Sequence, residues 1–314
     1  MREVNKILVV IEPNDEKLKA LQRAVAIAHK TGATITAYLA VYDFSYEMTT
    51  MLSAEERELM RRCMVEERTQ WLEDVLEPFA NQVSQIRPLV EWHNRPFEAV
   101  IKQVIQYKYD LVVKATHEHG VLRAVIFTPT DWHLLRKCPC SVLLVKEHDW
   151  PENGTILAAI NSVSHEQQHI DLNNNIISTS QYMQTLLQAN LKLLNCYPAG
   201  AVSLAVEIPE FDPTAYREAI RQHHLNSTLK YAEAFNIVED NCILAEGLPE
   251  DSITQYAREL DAELIVLGTI GRSGISAALL GNTAEHLLDG VNCDVLALKP
   301  YGFQSPVTLN KSKD

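Results

Sequence analysis

The chain has 314 residues, 46% hydrophobic and 22% charged, the make-up of an ordinary soluble globular protein with room for two domains of about 150 residues. Its formal charge of −13 speaks against a nucleic-acid or anionic-membrane surface, since those partners need a positive field. No apolar run is long enough to cross a bilayer, and the start of the chain lacks a signal-peptide core with a small-residue cleavage site. The six cysteines are scattered, without Cys-x-x-Cys, which suits reduced, buried thiols and a cytoplasmic location.

In chain order, Ile7–Ile11 is a continuous apolar run, the pattern of a strand covered on both faces. Leu18, Leu21, Val25 and Ala28 recur at helical spacing until Gly32. A strand over Thr34–Tyr42 follows. Ser53 and Glu56 form a capping-box pattern ahead of a long helix running toward Pro78. Ile86–Trp92 and Leu111–Ala115 read as strands on either side of a helix over Phe97–Tyr107, and a helix from about Pro129 to Arg136 leads to a strand over Val142–Val145. Strand and helix then alternate again. Ile156–Ile160 is a strand, Asn175–Gln188 a helix, Leu191–Cys196 a strand, and a helix begins at Asp212-Pro213 and runs to about Phe235. Cys242–Glu246, Leu264–Leu267 and Asp294–Leu298 are strands, with helices over Ser252–Leu260 and Thr283–Leu288. This alternation predicts parallel sheets with right-handed crossovers and helices on both faces.

The second half repeats the first. Cys140 and Cys293, Lys146 and Lys299, Thr130 and Thr283, and Pro96 and Pro249 all stand 153 positions apart. The chain therefore divides into a domain over residues 1–148, a polar linker, a domain over 155–300 and a loosely held tail over 301–314.

The second copy carries the chemistry. After the strand ending at Leu267 come Gly268, Gly271 and Gly281, then Asn282 and Thr283 at a helix start. Glycines let backbone N–H groups approach an anion, and a helix N-terminus adds unpaired donors and a positive dipole end. The spacing is neither a Walker loop nor the dinucleotide fingerprint. Arg272, the loop's cation, meets a phosphate or stays solvated; Asn282 caps the helix, binds ligand, or does both. Asn161, at a strand end, is placed to bond an adenine edge, and Cys196 either lines an apolar slot beside it or is plain core. In the first copy Ala115, Glu118 and Thr128 replace the three glycines, and a carboxylate at 118 repels phosphate.

The first copy holds His117-Glu118-His119 instead. Two imidazoles one residue apart chelate a metal, zinc foremost, when a third ligand converges; His133 and His93 are candidates by topology, and an exposed polar loop is the alternative. His165 with His169, and His223 with His224, read as solvated helix faces, and Cys138-Pro-Cys140 as a turn into the last strand. No nucleophile motif is present, so any ATP hydrolysis would be slow and rest on phosphate positioning with a bound metal ion.

These motifs resemble the universal stress protein family in its tandem form. The resemblance is carried by E-F-D-P at 210–213, G-L-P-E at 247–250 and G-T-I-G-R-S-G-I-S-A-A-L-L-G-N-T-A-E at 268–285. In the first half it is carried by Y-D-F-S-Y-E-M-T-T at 42–50, H-N-R-P-F-E-A at 93–99 and F-T-P-T-D-W-H-L-L-R-K-C-P at 127–139. It implies two doubly wound domains of the adenine nucleotide alpha hydrolase-like type, each a five-stranded parallel sheet. It further implies a role in stress survival, ATP or a related adenine nucleotide with magnesium at the second loop, and pairing of chains into a homodimer. The alternative is a ligand-sensing or interaction module whose first domain holds zinc or a small apolar metabolite. The chain departs from the family at Glu12 and Asn161, where nucleotide-binding members usually carry aspartate, and at Asn282, often serine or threonine.

Overall fold

The structure is a computed structural model that describes residues 3–13, 15, 17–45, 52–119, 124–126, 128–146, 148, 150–199, 212–269 and 290–309, with backbone only at 117–119 and 124–126. Its internal contacts divide the chain into two compact units.

In the first unit, β1 (Lys6–Val10), β2 (Thr34–Val41), β3 (Ile86–Trp92), β4 (Leu111–Ala115) and β7 (Ser141–Val145) form a parallel sheet in the order β3-β2-β1-β4-β7. Two short strands, β5 (His117–His119) and β6 (Ala124–Ile126), follow β4 in the chain and pair with each other, and residues 119 and 124–126 group with the second unit. The helices are α1 (Lys19–Thr31), α2 (Ala54–Leu76), α3 (Pro96–Tyr107) and α4 (Pro129–Lys137). Residues 304–309 of the tail group with this unit, where Leu309 lines a groove with Trp92 and Gln106.

The second unit repeats the plan. Strands β8 (Thr155–Ile160), β9 (Asn190–Tyr197), β10 (Cys242–Glu246), β11 (Ala262–Gly268) and β12 (Asp294–Leu298) pair in parallel in the order β10-β9-β8-β11-β12. Its described helices are α5 (Gln167–Leu187), α6 (Pro213–Ala234) and α7 (Pro249–Glu259).

Local chemistry explains the boundaries. Ser53 accepts from Glu56 N at 3.2 Å while the Glu56 carboxylate accepts from Ser53 N at 2.8 Å, so both bonds of the capping box form. Proline opens α3, α4, α6 and α7 at the first turn, where its missing N–H costs no helical bond. Gly32 ends α1 at φ 76°, a left-handed conformation open to glycine. The central strands are mostly apolar, as coverage on both faces requires: Ile7, Leu8, Val9, Val112, Val113, Ile156, Leu157, Ile265 and Val266 are fully buried.

One helix is longer than the sequence pattern suggests. By strand register, α5 matches α1 from Asn175 onward, yet it begins two turns earlier, at Gln167. Those turns bury His169, Leu172 and Asn173, and the polar members break the apolar period that marks a helix. His169 is therefore buried, with Nε2 3.7 Å from the Glu166 carboxylate, and is not half of a solvated histidine pair; His165 is exposed.

All six cysteines are free thiols. Cys138 caps the end of α4 and Cys140 precedes β7, so Cys-Pro-Cys is the turn into that strand. Burial, with Asp294 adding to it, pushes the Cys293 thiol up to about 12, the state of an inert structural cysteine.

Candidate functional site

In each sheet the strand order reverses beside the first strand of the unit. Its crossover leads one way, to β2 or β9, while β4 or β11 lies on the other side. Ligands of open parallel sheets sit at such a switch point, outside the carboxyl ends of the strands. The residues that matter are therefore those ending β1 and β4 in the first unit and β8 and β11 in the second.

In the first unit this point is closed by charge. Lys114, on β4 next to Val10 of β1, has no exposed surface, and its ammonium lies 2.9 Å from Glu12 Oε1 and 2.9 Å from Asp131 Oδ1. The same nitrogen donates to Ala115 O at 3.0 Å, so three oxygens stand around the ammonium. Burial alone would lower the lysine's pKa, but Asp131 and Glu12 outweigh it and hold the ammonium above its ordinary value. Asp131 is fixed from the other side: its Oδ2 accepts from Thr128 N at 2.7 Å and from Thr128 Oγ1 at 2.8 Å, within the capping box that starts α4. Thr128→Ala should destabilise the first unit by about 1 kcal/mol, the usual cost of a lost cap, read as a lower urea midpoint.

The Lys114 cluster was readable in principle. A lysine inside L-V-V-K-A, a strand with no exposed residue, calls for buried carboxylates. The strand end supplies Glu12 and the third residue of α4 supplies Asp131. The repeat adds a contrast, because Lys114 corresponds to Leu267, Glu12 to Asn161 and Asp131 to Ala284.

In the second unit the described strand ends at the switch point carry no charged side chain. Leu267 and Gly268 end β11, and Asn161 follows β8. Gly268 has a packing role: a Cβ there would meet Leu172 Cγ at 2.9 Å, so its bareness lets α5 lie close over β11. Asn161 is half-buried and its backbone is clamped, N–H donating to Asn173 Oδ1 at 3.1 Å and C=O accepting from Asn173 Nδ2 at 2.8 Å. Its side-chain amide makes no hydrogen bond to any described residue. Cys196 is half-buried on the face of β9 opposite Asn195, so it does not share a layer with that buried amide. Gly271, Arg272, Gly281, Asn282 and Thr283 lie outside the described residues.

His224 has a partner that sequence reasoning missed. It is buried on α6 beside Asn195, with Asn195 Nδ2 at 2.9 Å from its Nδ1; His223 is the solvated member of the pair.

The first unit's histidines are placed as follows. His133 stacks on Phe97 with ring centroids 4.0 Å apart, and burial together with Lys137 and Arg136 lowers its pKa. His93 Nδ1 accepts from Arg95 N at 3.0 Å in a local turn. The side chains of His117 and His119 are outside what is described. Among the described residues, no three of His, Cys, Asp and Glu are placed to hold a metal ion.

Two doubly wound parallel sheets with repeated switch points define a tandem α/β protein whose two clefts have diverged. The chain matches the universal stress protein family over residues 3–146 and 183–299, and it belongs to that family. It is 45% identical over 315 residues to universal stress protein E of Escherichia coli K12, covering the whole of both chains. It is 41% identical over 300 residues to the universal stress protein E homolog of Haemophilus influenzae, covering 94% of this chain and 97% of the relative. Among solved structures, a functionally unknown protein from Pseudomonas aeruginosa PAO1 superposes with a TM-score of 0.74 at 26% identity, covering 95% of this chain and 93% of that one. Among the described residues, no helix is long and apolar enough to cross a membrane.

Proposed function

We propose that this chain is a cytoplasmic stress-response protein that binds ATP or a related adenine nucleotide, with magnesium, in its second unit, and turns it over slowly at most. The observation that carries the reading is the contrast at the two switch points. The first is filled by the Lys114 ammonium between two carboxylates, whereas the second presents a neutral strand end with the Asn161 amide unpartnered among the described residues. An amide offers one donor and one acceptor, the complement of an adenine edge. The spaced glycines Gly271 and Gly281, with Asn282, Thr283 and Arg272, supply N–H groups and charge suited to phosphates. Pairing of chains into a homodimer belongs to the same reading.

Isothermal calorimetry with ATP and magnesium tests it. One ATP per chain is expected, and Gly281→Glu should abolish the heat; no heat from the unaltered protein would overturn the proposal. The zinc reading of the first unit rests on His117 and His119 alone, and metal analysis of purified protein without zinc above background would remove it.

A further inference from the structure

Beneath the second switch point lies a buried polar network that the first unit lacks. Asn195 is fully buried near the end of β9, where strand register puts Leu39 in the first unit. Its Oδ1 accepts from Ser162 N at 3.1 Å, which fixes the orientation of the amide and turns Nδ2 toward His224 Nδ1. Thr228 Oγ1 donates to His224 O at 2.8 Å and lies 3.1 Å from Ser162 Oγ, whose proton it can accept, and Asn173 Nδ2 donates to Tyr231 OH at 3.2 Å as well as to Asn161 O. Asn173, Asn195, Ser162, Thr228 and His224 are each buried, so the network is closed from water almost throughout. Its outputs are two consecutive peptide groups, those of Asn161 and Ser162, which it holds in place.

Asn195 stands where the first unit has the apolar Leu39, so packing at this position does not by itself require a buried amide. A buried network that is fully satisfied fixes one geometry. The residue it fixes has an amide unpartnered among the described residues at the mouth of the cleft. We propose that Asn173 and Asn195 are positioning residues that set Asn161 for recognition of an adenine base, and that His224 is the member through which acid loosens them. The inference rests on the nucleotide reading of the second unit and assigns its base selectivity. Asn161 donates and accepts toward adenine, while guanine offers two acceptors at the corresponding edge and is disfavoured.

The acid step follows from proton counting. With Asn195 Nδ2 donating, His224 Nδ1 must carry a lone pair, so the ring is neutral with its proton on Nε2. A protonated ring faces the amide with a second donor. Turning the amide over to accommodate it would face Ser162 N–H with donors, and one bond is lost either way. The titratable and charged groups facing His224 are His223 on its own helix, Tyr197 on β9 with ring centroids 5.8 Å away, and Glu246 on β10, which Tyr197 OH meets at 3.4 Å. Among the described residues of α6, Arg217 pairs with Glu246 at 3.5 Å and Arg221 with Glu218 at 3.3 Å. Burial, and secondarily the charge of His223, lower the His224 pKa. The network is thus complete at neutral pH, and it fails only under acid that goes below the ordinary histidine range, where the ring takes up its proton.

The test measures affinity of the full chain for ATP and GTP between about pH 7 and pH 5. The unaltered protein should prefer ATP and lose about tenfold in ATP affinity across that range. Asn195→Leu, which installs the first unit's residue, should weaken ATP about tenfold at neutral pH and leave GTP within about twofold. His224→Gln keeps an acceptor for Asn195 and should retain neutral-pH affinity while losing the pH dependence; titration of the nucleotide's own phosphate is common to both proteins. If neither nucleotide binds the unaltered chain, the nucleotide reading fails and takes this inference with it. If ATP binds and folded Asn195→Leu is unaffected, or His224→Gln keeps the full pH dependence, the inference alone is wrong.

Discussion

Lys114→Met should destabilise the first unit by about 3–5 kcal/mol, the range for removing one member of a buried ion pair. The cost comes from what is left behind. Asp131 has no exposed surface, and without the ammonium its carboxylate is a buried charge held only by Thr128. Glu12 is partly exposed and can turn to water, so it contributes less. Asp131→Asn keeps an acceptor for the cap while removing the charge. Adding it to Lys114→Met should recover a good part of the loss, and the pair should be strongly non-additive. The stabilisation from the raised lysine pKa is fully present below the unfolded value of about 10.4, and it is lost only as pH rises through the folded value. The lysine's contribution therefore persists across the neutral and acidic range. Urea unfolding followed by fluorescence suits the measurement, because Trp71, Trp92 and Trp132 lie in the first unit and Trp150 in the second. A loss below about 1 kcal/mol would mean that the triad is no stronger than a surface pair.

The same triad shows where sequence reasoning reaches and where it stops. Alternation of apolar runs with helical periods, and the repeat at 153 positions, gave both parallel sheets to within a residue or two of most strand boundaries. Proline at first turns and the Ser53–Glu56 box located helix starts for the same reason: these signals act through backbone chemistry within four residues. Buried polar groups escaped because their meaning lies in partners far along the chain. Lys114 is explained by Glu12 and Asp131, His224 by Asn195, and Asn173 by Asn161. His224 read as a solvated residue until the fold brought Asn195 alongside. The first two turns of α5 were lost in this way, since Asn173 and His169 sit on the buried face where a periodic pattern expects apolar side chains. At the candidate site, the sequence pointed to the strand ends beside β1 and β8, where the structure places Glu12 and Asn161. It did not reveal that Lys114 lies between two carboxylates at the first of these points.

Gly268→Ala should destabilise the second unit by about 1–3 kcal/mol, the usual cost of overpacking. The added methyl would meet Leu172 Cγ at 2.9 Å and Cδ1 at 3.3 Å, and Leu172 is only 4% exposed, so it has little room to give way. No left-handed backbone enters the argument, since Gly268 has an ordinary φ. Leu172→Ala alone should cost about 2–5 kcal/mol through the cavity it opens. Together the two substitutions should cost less than their sum by at least about 1 kcal/mol, because each relieves what the other causes. ATP calorimetry on the same proteins separates packing from ligand contact. If Gly268 matters because α5 must lie against β11, the double variant should bind ATP within about threefold of the unaltered chain. Gly281→Glu, by contrast, should abolish binding with little change in stability. Should Gly268→Ala abolish ATP binding in the double variant as well, Gly268 belongs to the phosphate loop itself, as its spacing from Gly271 and Gly281 first suggested. The glycine that opens the loop would then serve the helix above it and the ligand beyond it at once.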